Sequence, residues 1–132
     1  MRAVVYARLS TDLQSESSIE EQLRRCKQYC EMKGYEFIAD FTDIGTGMNT
    51  ERAGFKEMME RIDEWDIAIA YKLDRFHRNT MNAIEFVNTI DNNDCYIACI
   101  SEQMDTTTVQ GRFFYIVFAA LAELRRNEIK ER

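Results

Sequence analysis

Ser10 is the residue whose setting points most directly to chemistry. It follows the short apolar segment Ala3–Ala7 and stands two positions after Arg8. Two other segments place arginines comparably: Asp43-Ile44-Gly45-Thr46-Gly47 runs on to Arg52, and Lys72-Leu73-Asp74-Arg75-Phe76-His77-Arg78 follows the apolar segment Ile67–Tyr71. An arginine presents a permanently charged planar fork that matches two oxygens of a phosphate. Several forks converging beside a hydroxyl would stabilise the added charge of a five-coordinate phosphoryl transition state, which makes Ser10 a candidate nucleophile toward phosphorus. Asp74-Arg75 in isolation would read as a surface ion pair. Its convergence with the other arginines argues for a site.

The remaining serines are in less reactive settings. Ser18 and Glu21 form the S-x-x-E pattern of a helix-opening capping box. Ser15 and Ser17 belong to the same polar stretch, and Ser101 has no arginine near it in sequence. The four cysteines, Cys26/Cys30 and Cys95/Cys99, are each spaced with three residues between. That is neither a C-x-x-C redox spacing nor a zinc-ribbon spacing, so they are expected to be reduced core thiols. The single histidine, His77, does not complete a ligand set with them, and no metal is expected.

For these residues to meet, the chain must bring several segment ends to one place. Ala3–Ala7, Phe37–Phe41, Ile67–Tyr71 and Tyr96–Ile100 are short, apolar and rich in β-branched or aromatic residues, as strands buried on both faces are. Between them, Ile19/Leu23/Cys26/Cys30, Phe55/Met58/Met59/Ile62 and Ala83/Phe86/Val87/Ile90 repeat at helical spacing. Alternating strand and helix predicts an α/β fold: a mostly parallel four- to five-stranded sheet flanked by helices, through right-handed crossovers. Ligands of such sheets bind outside the carboxyl ends of the strands, where the three arginine-bearing segments lie.

A long helix from about Thr108 to Arg132 is predicted to close the chain. Its stretch Phe113–Ala122 is apolar around the whole circumference, and at 1.5 Å per residue it would run on the order of 35 Å, longer than so small a domain can cover. A subunit interface through Phe113 to Leu124 is therefore expected.

With 132 residues, 45% of them apolar, no proline and no repeat, the chain reads as one domain, residues 1–132. No stretch approaches the roughly 18 apolar residues of a membrane span. The start runs directly into a strand-like segment rather than a secretory signal, so a soluble protein of the cytoplasm is expected. A net charge of −6 by itself argues against a polyanionic partner. Its distribution argues otherwise: residues 1–71 hold 9 Lys/Arg against 14 Asp/Glu and residues 79–105 hold none against 5, while residues 72–78 hold 3 against 1 and residues 106–132 hold 5 against 3. Positive charge is confined to the Lys72–Arg78 segment and the last helix.

Four segments together resemble the serine recombinases, the family of resolvases, invertases and large phage integrases. These are Tyr6-x-Arg8-x-Ser10-Thr11, Ser18-Ile19-Glu20-Glu21-Gln22, Asp43-x-x-Thr46-Gly47 with Arg52, and Lys72-Leu73-Asp74-Arg75-x-x-Arg78, and the resemblance spans nearly the whole chain. Two departures stand out. Thr46 replaces a usual serine but keeps a hydroxyl, and Arg125-Arg126 stands where a Glu-Arg pair is usual, while Glu131-Arg132 keeps that form. The polar stretch between Ser10 and Gln22 and the wording Ser-Ile-Glu-Glu-Gln are more like the large integrases and transposases.

The resemblance implies site-specific DNA strand exchange without metal or nucleotide cofactor. The serine would form a 5′-phosphoserine and free a 3′-hydroxyl, within a homo-oligomer that is a dimer on its site and a tetramer in synapsis. By the same resemblance Arg8, Arg75 and Arg78 are phosphate clamps with Arg52 assisting, and Asp74 is the candidate proton carrier for the leaving oxygen. Tyr6 joins the catalytic set. Gln14 and Gln22 would orient the scissile group or its neighbours, and Thr46, Lys72, Arg126 and Arg132 join Gln14 as DNA contacts. It also implies DNA-reading domains absent from this sequence, which stops at Arg132 inside a helix without glycine, proline or a cap.

Two other classes compete. A phosphoacceptor receiver domain would use Asp74 after the third strand, but it needs acidic residues after the first strand to hold magnesium, where Arg8 stands. A non-catalytic oligomerisation module would keep the last helix, yet nothing needed at the catalytic site is missing.

Overall fold

The computed structural model describes residues 1–10, 18–45, 52–77 and 80–131, the side chains of Ser10 and of residues 126–131 excepted. Strand β1 (Arg2–Ser10) leads to helix α1 (Ile19–Lys33), β2 (Glu36–Gly45), α2 (Ala53–Glu60) and β3 (Ile67–Ala70). The chain continues through α3 (Thr80–Asn92), β4 (Tyr96–Cys99), the two-residue β5 (Met104–Asp105) and α4 (Val109–Glu131). The sheet has the order β2-β1-β3-β4-β5, with β1 to β4 mutually parallel and β5 antiparallel to β4. The expected α/β architecture is therefore present, with five strands.

Side chains alternate between the faces of a strand, and the two cores follow that alternation. Ala3, Val5, Ile67, Ile69 and Ala98 meet Cys26 and Cys30 of α1 on one face. Val4, Tyr6, Ala68, Ala70 and Ile97 face the other way, where α2, α3 and α4 deliver Met58, Phe86, Ile90 and Tyr115. Helices thus cover both faces, as right-handed crossovers to either side of β1 require.

The helix ends follow local chemistry. Ser18 Oγ accepts the Glu21 N–H at 3.1 Å and opens α1. Gly34, at φ +74°, closes it in the left-handed region that glycine enters without steric cost. All four cysteines are free and buried, and burial pushes the Cys26 thiol up to about 12, which leaves it inert at neutral pH.

Two expectations are corrected. β2 is not buried on both faces: along it only Phe41 is buried, while Phe37, Ile38 and Ile44 are exposed, because the sheet order puts this strand at an open edge. The helical pattern ending at Ile62 is cut short. α2 stops at Glu60 and Ile62 lies in a separate 3₁₀ turn, Ile62–Glu64, which leads to the buried Trp65, whose indole N–H donates to the Met58 carbonyl at 3.0 Å.

α2 lies so close to β2 that a Cβ on Gly54 would stand 2.4 Å from the Thr42 carbonyl oxygen. Neither partner is the end of a flexible side chain, so the backbone itself would have to move. Gly54→Ala is expected to cost about 1–3 kcal/mol through this overpacking. Equilibrium denaturation measures it, and wild-type stability would show that α2 can lift from β2 freely.

Candidate active site

Parallel pairing brings the carboxyl ends of β1 to β4 to one edge. Ser10 lies in register with Gly45, Arg8 with Asp43, Tyr6 with Ala70, and Ala70 with Cys99. The strand order reverses between β1 and β3, which is where an open α/β sheet forms its ligand crevice. The backbone of Ser10 sits at the end of β1 on that crevice, and the Lys72–His77 segment leaves β3 beside it.

Arg8 is half-buried, and a buried glutamine clasps its backbone: the Arg8 N–H donates to Gln22 Oε1 at 3.2 Å, and Gln22 Nε2 donates to the Arg8 carbonyl at 3.0 Å. Gln22 has no exposed surface. It aligns α1 with the strand end that carries Arg8 and Ser10.

Tyr6 is likewise fully buried. Its hydroxyl donates to Asp43 Oδ2 at 2.7 Å, and its ring stacks on Phe76 and meets Phe55 edge-on. Burial raises its pKa far above the usual phenol value, so it remains a donor. Asp43 was legible only as part of a turn motif, yet it organises this corner. Its Oδ1 accepts the Gly54 N–H at 2.8 Å and its Oδ2 the Phe55 N–H at 2.9 Å, satisfying two donors of the first turn of α2.

Arg52, just before that turn, reaches across the crevice. One terminal N–H donates to the Arg75 carbonyl at 2.9 Å, Nε lies 3.4 Å from the Tyr6 hydroxyl, and the guanidinium sits 3.9 Å above the Phe55 ring. It thus ties the second arginine-bearing segment to the third. Below it an open recess of about 230 Å³ is lined by Phe55, Phe76, His77, Asn82 and Phe86, among others.

Leu73–Arg75 is a 3₁₀ turn preceded by the half-buried Lys72. The Arg75 side chain is 8% exposed, not displayed on an open loop, and its NH1 lies 3.7 Å from Asp74 Oδ1 in a side chain that is 47% exposed. Asp74 Oδ1 is itself buried and makes no hydrogen bond among the described residues. The turn is held at its start by Glu102, whose two carboxylate oxygens lie 3.3 and 3.4 Å from the Leu73 N–H. Burial raises the Glu102 pKa, the Leu73 N–H opposes that, and Asp74 adds to it. No sequence signal marked Glu102, because it is 29 positions from the residue it holds.

Gln14, Thr46, Arg78 and Arg132, and the side chains of Ser10 and Arg126, lie outside the described residues. Among the described residues no group of acidic, histidine or cysteine side chains is arranged to hold a metal ion, and no helix is long and apolar enough to cross a membrane.

Fold and site together define a parallel α/β domain that gathers arginines at the strand ends around a serine, a class suited to phosphate chemistry. The chain matches the family model described as Resolvase, N terminal domain over residues 3–132, and it belongs to that family. It is 35% identical over 127 residues to the transposon Tn917 resolvase of Enterococcus faecalis, covering 96% of this chain and 64% of the relative. It is 33% identical over 127 residues to the serine recombinase gin of Escherichia phage Mu, covering 96% and 61%. The chain thus spans a little under two thirds of the length of these relatives. The N-terminal catalytic domain of TP901-1 integrase superposes with a TM-score of 0.77 at 27% identity, covering 96% of this chain and 98% of that one. A resolvase family site-specific recombinase from Streptococcus pneumoniae does so with 0.73 at 26%, covering 98% and 91%.

A raised Glu102 pKa has a consequence for stability. Its folded-state value lies above the unfolded one, so burial of the charge weakens the fold above the folded pKa and the penalty is relieved as pH falls toward the ordinary carboxylate range. Glu102→Gln keeps an oxygen for the Leu73 N–H and removes the charge. The variant is expected to match or exceed wild-type stability at pH 7 and to lose that advantage near pH 4, read by denaturant midpoints at both values. An advantage that grows on acidification would reverse the assignment.

Proposed function

We propose that this chain is the catalytic domain of a site-specific DNA recombinase that cuts and rejoins strands through Ser10. The observation that carries the reading is the shared edge: the end of β1 at Ser10, Arg8 beside it, and Arg52 bonded to the backbone of Arg75 across the crevice. Membership of the resolvase family and the likeness to an integrase catalytic domain support it.

Ser10 Oγ attacks a backbone phosphorus, forming an O–P bond as the bond from phosphorus to the 3′-oxygen breaks. The product is a 5′-phosphoserine and a free 3′-hydroxyl, and the reverse attack by a 3′-hydroxyl rejoins the strand. Arg8, Arg75 and Arg78, with Arg52, hold the phosphate oxygens and favour the charge that builds on them. That positive field also lowers the cost of deprotonating Ser10. Asp74 carries the proton toward the leaving 3′-oxygen. Arginines supply the charge stabilisation, so the step is assigned no metal or other cofactor. Gln14, Thr46, Lys72, Arg126 and Arg132 are assigned as DNA contacts. Sequence reading falls to further domains of the protein, which works with DNA in the cytoplasm.

The test is covalent capture. The protein is incubated in EDTA with a pool of randomised DNA duplexes, denatured, and examined for protein on DNA 5′ ends, with the attachment site read by mass spectrometry. An adduct on Ser10 that vanishes in Ser10→Ala, with folding and DNA binding retained, is expected. An adduct elsewhere, or none formed by the wild type, would overturn the reading.

The second part of the proposal is that α4 pairs with another copy of the chain. Phe113, Phe114, Phe118, Leu121 and Leu124 are all exposed on it, while Tyr115 and Ala119 are buried against the domain. Burying one such phenylalanine is worth about 1.5–3 kcal/mol. Sedimentation over a range of concentrations should therefore show self-association, weakened at least tenfold by Phe114→Glu or Phe118→Glu. A wild-type protein that stays monomeric throughout would exclude this interface.

A further inference from the structure

Helix α4 also grips the catalytic segment. His77 is buried at the end of the described part of that segment, and its Nε2 lies 2.6 Å from the hydroxyl of the fully buried Tyr115 in a hydrogen bond. The two rings meet edge-on, with centroids 5.3 Å apart. Three positions on, the Thr80 N–H donates to Glu123 Oε2 at 3.1 Å, and the Thr80 hydroxyl donates to the same oxygen. Tyr115, the buried Ala119 and Glu123 are spaced four apart along α4, which keeps them on one side of a helix with 3.6 residues per turn. The exposed belt of Phe113, Phe114, Phe118, Leu121 and Leu124 occupies the rest of its circumference.

Both contacts stand close to the arginines in sequence: Arg75 is two residues before His77, and Arg78 falls between His77 and Thr80. We propose that His77 and Tyr115, together with Thr80 and Glu123, are positioning residues for Arg75, so that its part of the phosphate clamp is set only while α4 is seated on the segment. The inference rests on the recombinase reading given above.

The physical case is one of tolerance. A fork must hold its target within about 0.5 Å, and a misplacement of 1 Å can cost on the order of a hundredfold in rate. A 3₁₀ turn of three residues has no ladder of its own to supply that rigidity. Packing places it approximately, since Phe76 and His77 both lie against Phe86 of α3, with centroids 5.0 and 6.2 Å apart. Directional bonds to buried groups supply what packing does not. Tyr115 remains a phenol, because burial raises its pKa well above the usual value. Moving α4 away would carry the Tyr115 hydroxyl off the imidazole and break this bond, a loss that resists such movement.

Tyr115→Phe removes one oxygen and keeps the ring that packs on His77, and Thr80→Val removes one hydroxyl and keeps the N–H. His77→Leu removes the imidazole, whereas His77→Gln keeps a polar nitrogen near the Nε2 position. Each variant is compared with wild type for the rate of Ser10–DNA adduct formation on a duplex that the wild type selects from the randomised pool. Affinity for that duplex, thermal unfolding, and amide exchange of residues 73–77 are measured alongside. Tyr115→Phe is expected to slow adduct formation 10- to 100-fold, with affinity within about twofold, unfolding within a few degrees, and faster exchange in the segment. His77→Leu should slow it similarly and add little to Tyr115→Phe in the double variant, and His77→Gln should recover much of the rate. Wild-type rates in all variants, or losses that follow only the unfolded fraction, would overturn the inference while the wild-type adduct keeps the recombinase reading standing. Absence of the adduct from wild type would overturn both.

Discussion

The carboxylate of Asp43 accepts three hydrogen bonds from two parts of the chain: the Tyr6 hydroxyl on β1 and the backbone N–H groups of Gly54 and Phe55 at the start of α2. Those N–H groups have no partner within the helix, and Tyr6 is too deeply buried to reach water, so each needs this acceptor. One side chain therefore fixes where α2 begins relative to β1 and β2. Arg52 stands immediately before that point, and its reach to the Arg75 carbonyl depends on it. The close approach of Gly54 to Thr42 is the steric side of the same constraint.

Around that corner the protein keeps positive charge where it is costly to keep. Arg75 is nearly enclosed, Arg52 lies against aromatic rings, and the neighbouring carboxylate Asp74 stands 3.7 Å from Arg75 while remaining half in water. Arg52, held by its bond to a backbone carbonyl and by stacking on Phe55, needs little rearrangement when an anion arrives. Glu102 fits the same logic: it steadies the turn through the Leu73 N–H and tolerates burial of its own charge to do so.

Helix α4 faces two ways. Its buried side ends in polar groups on His77 and Thr80, and its exposed side is a belt of phenylalanine and leucine. Dispersion and burial set how deeply such a helix seats, whereas hydrogen bonds set its rotation and register. In this chain the registering bonds are made to residues next to the arginines rather than to the distant end of the sheet.

Much of this was legible in sequence because it is local. The α/β alternation, the Ser18 cap, the long apolar last helix and the serine flanked by arginine-bearing segments all follow from periods of two and 3.6 and from residue types at fixed spacing. What was not legible depends on which strand lies beside which. An apolar run such as Phe37–Phe41 has the same composition at the edge of a sheet as at its centre, so the exposure of β2 came only from the strand order. Tyr6 and Gln22 were recognisable as members of the site, but their burial, and hence their roles behind Asp43 and Arg8, follows from packing between elements. Glu102, Tyr115 and Glu123 act on a segment 29 to 43 positions away. The sequence by itself determined which residue types could do the chemistry and which elements would carry them. Tertiary structure alone decided which side chains face the crevice and which hold the others in place, because a hydrogen bond depends on separation in space and spacing along the chain does not encode it.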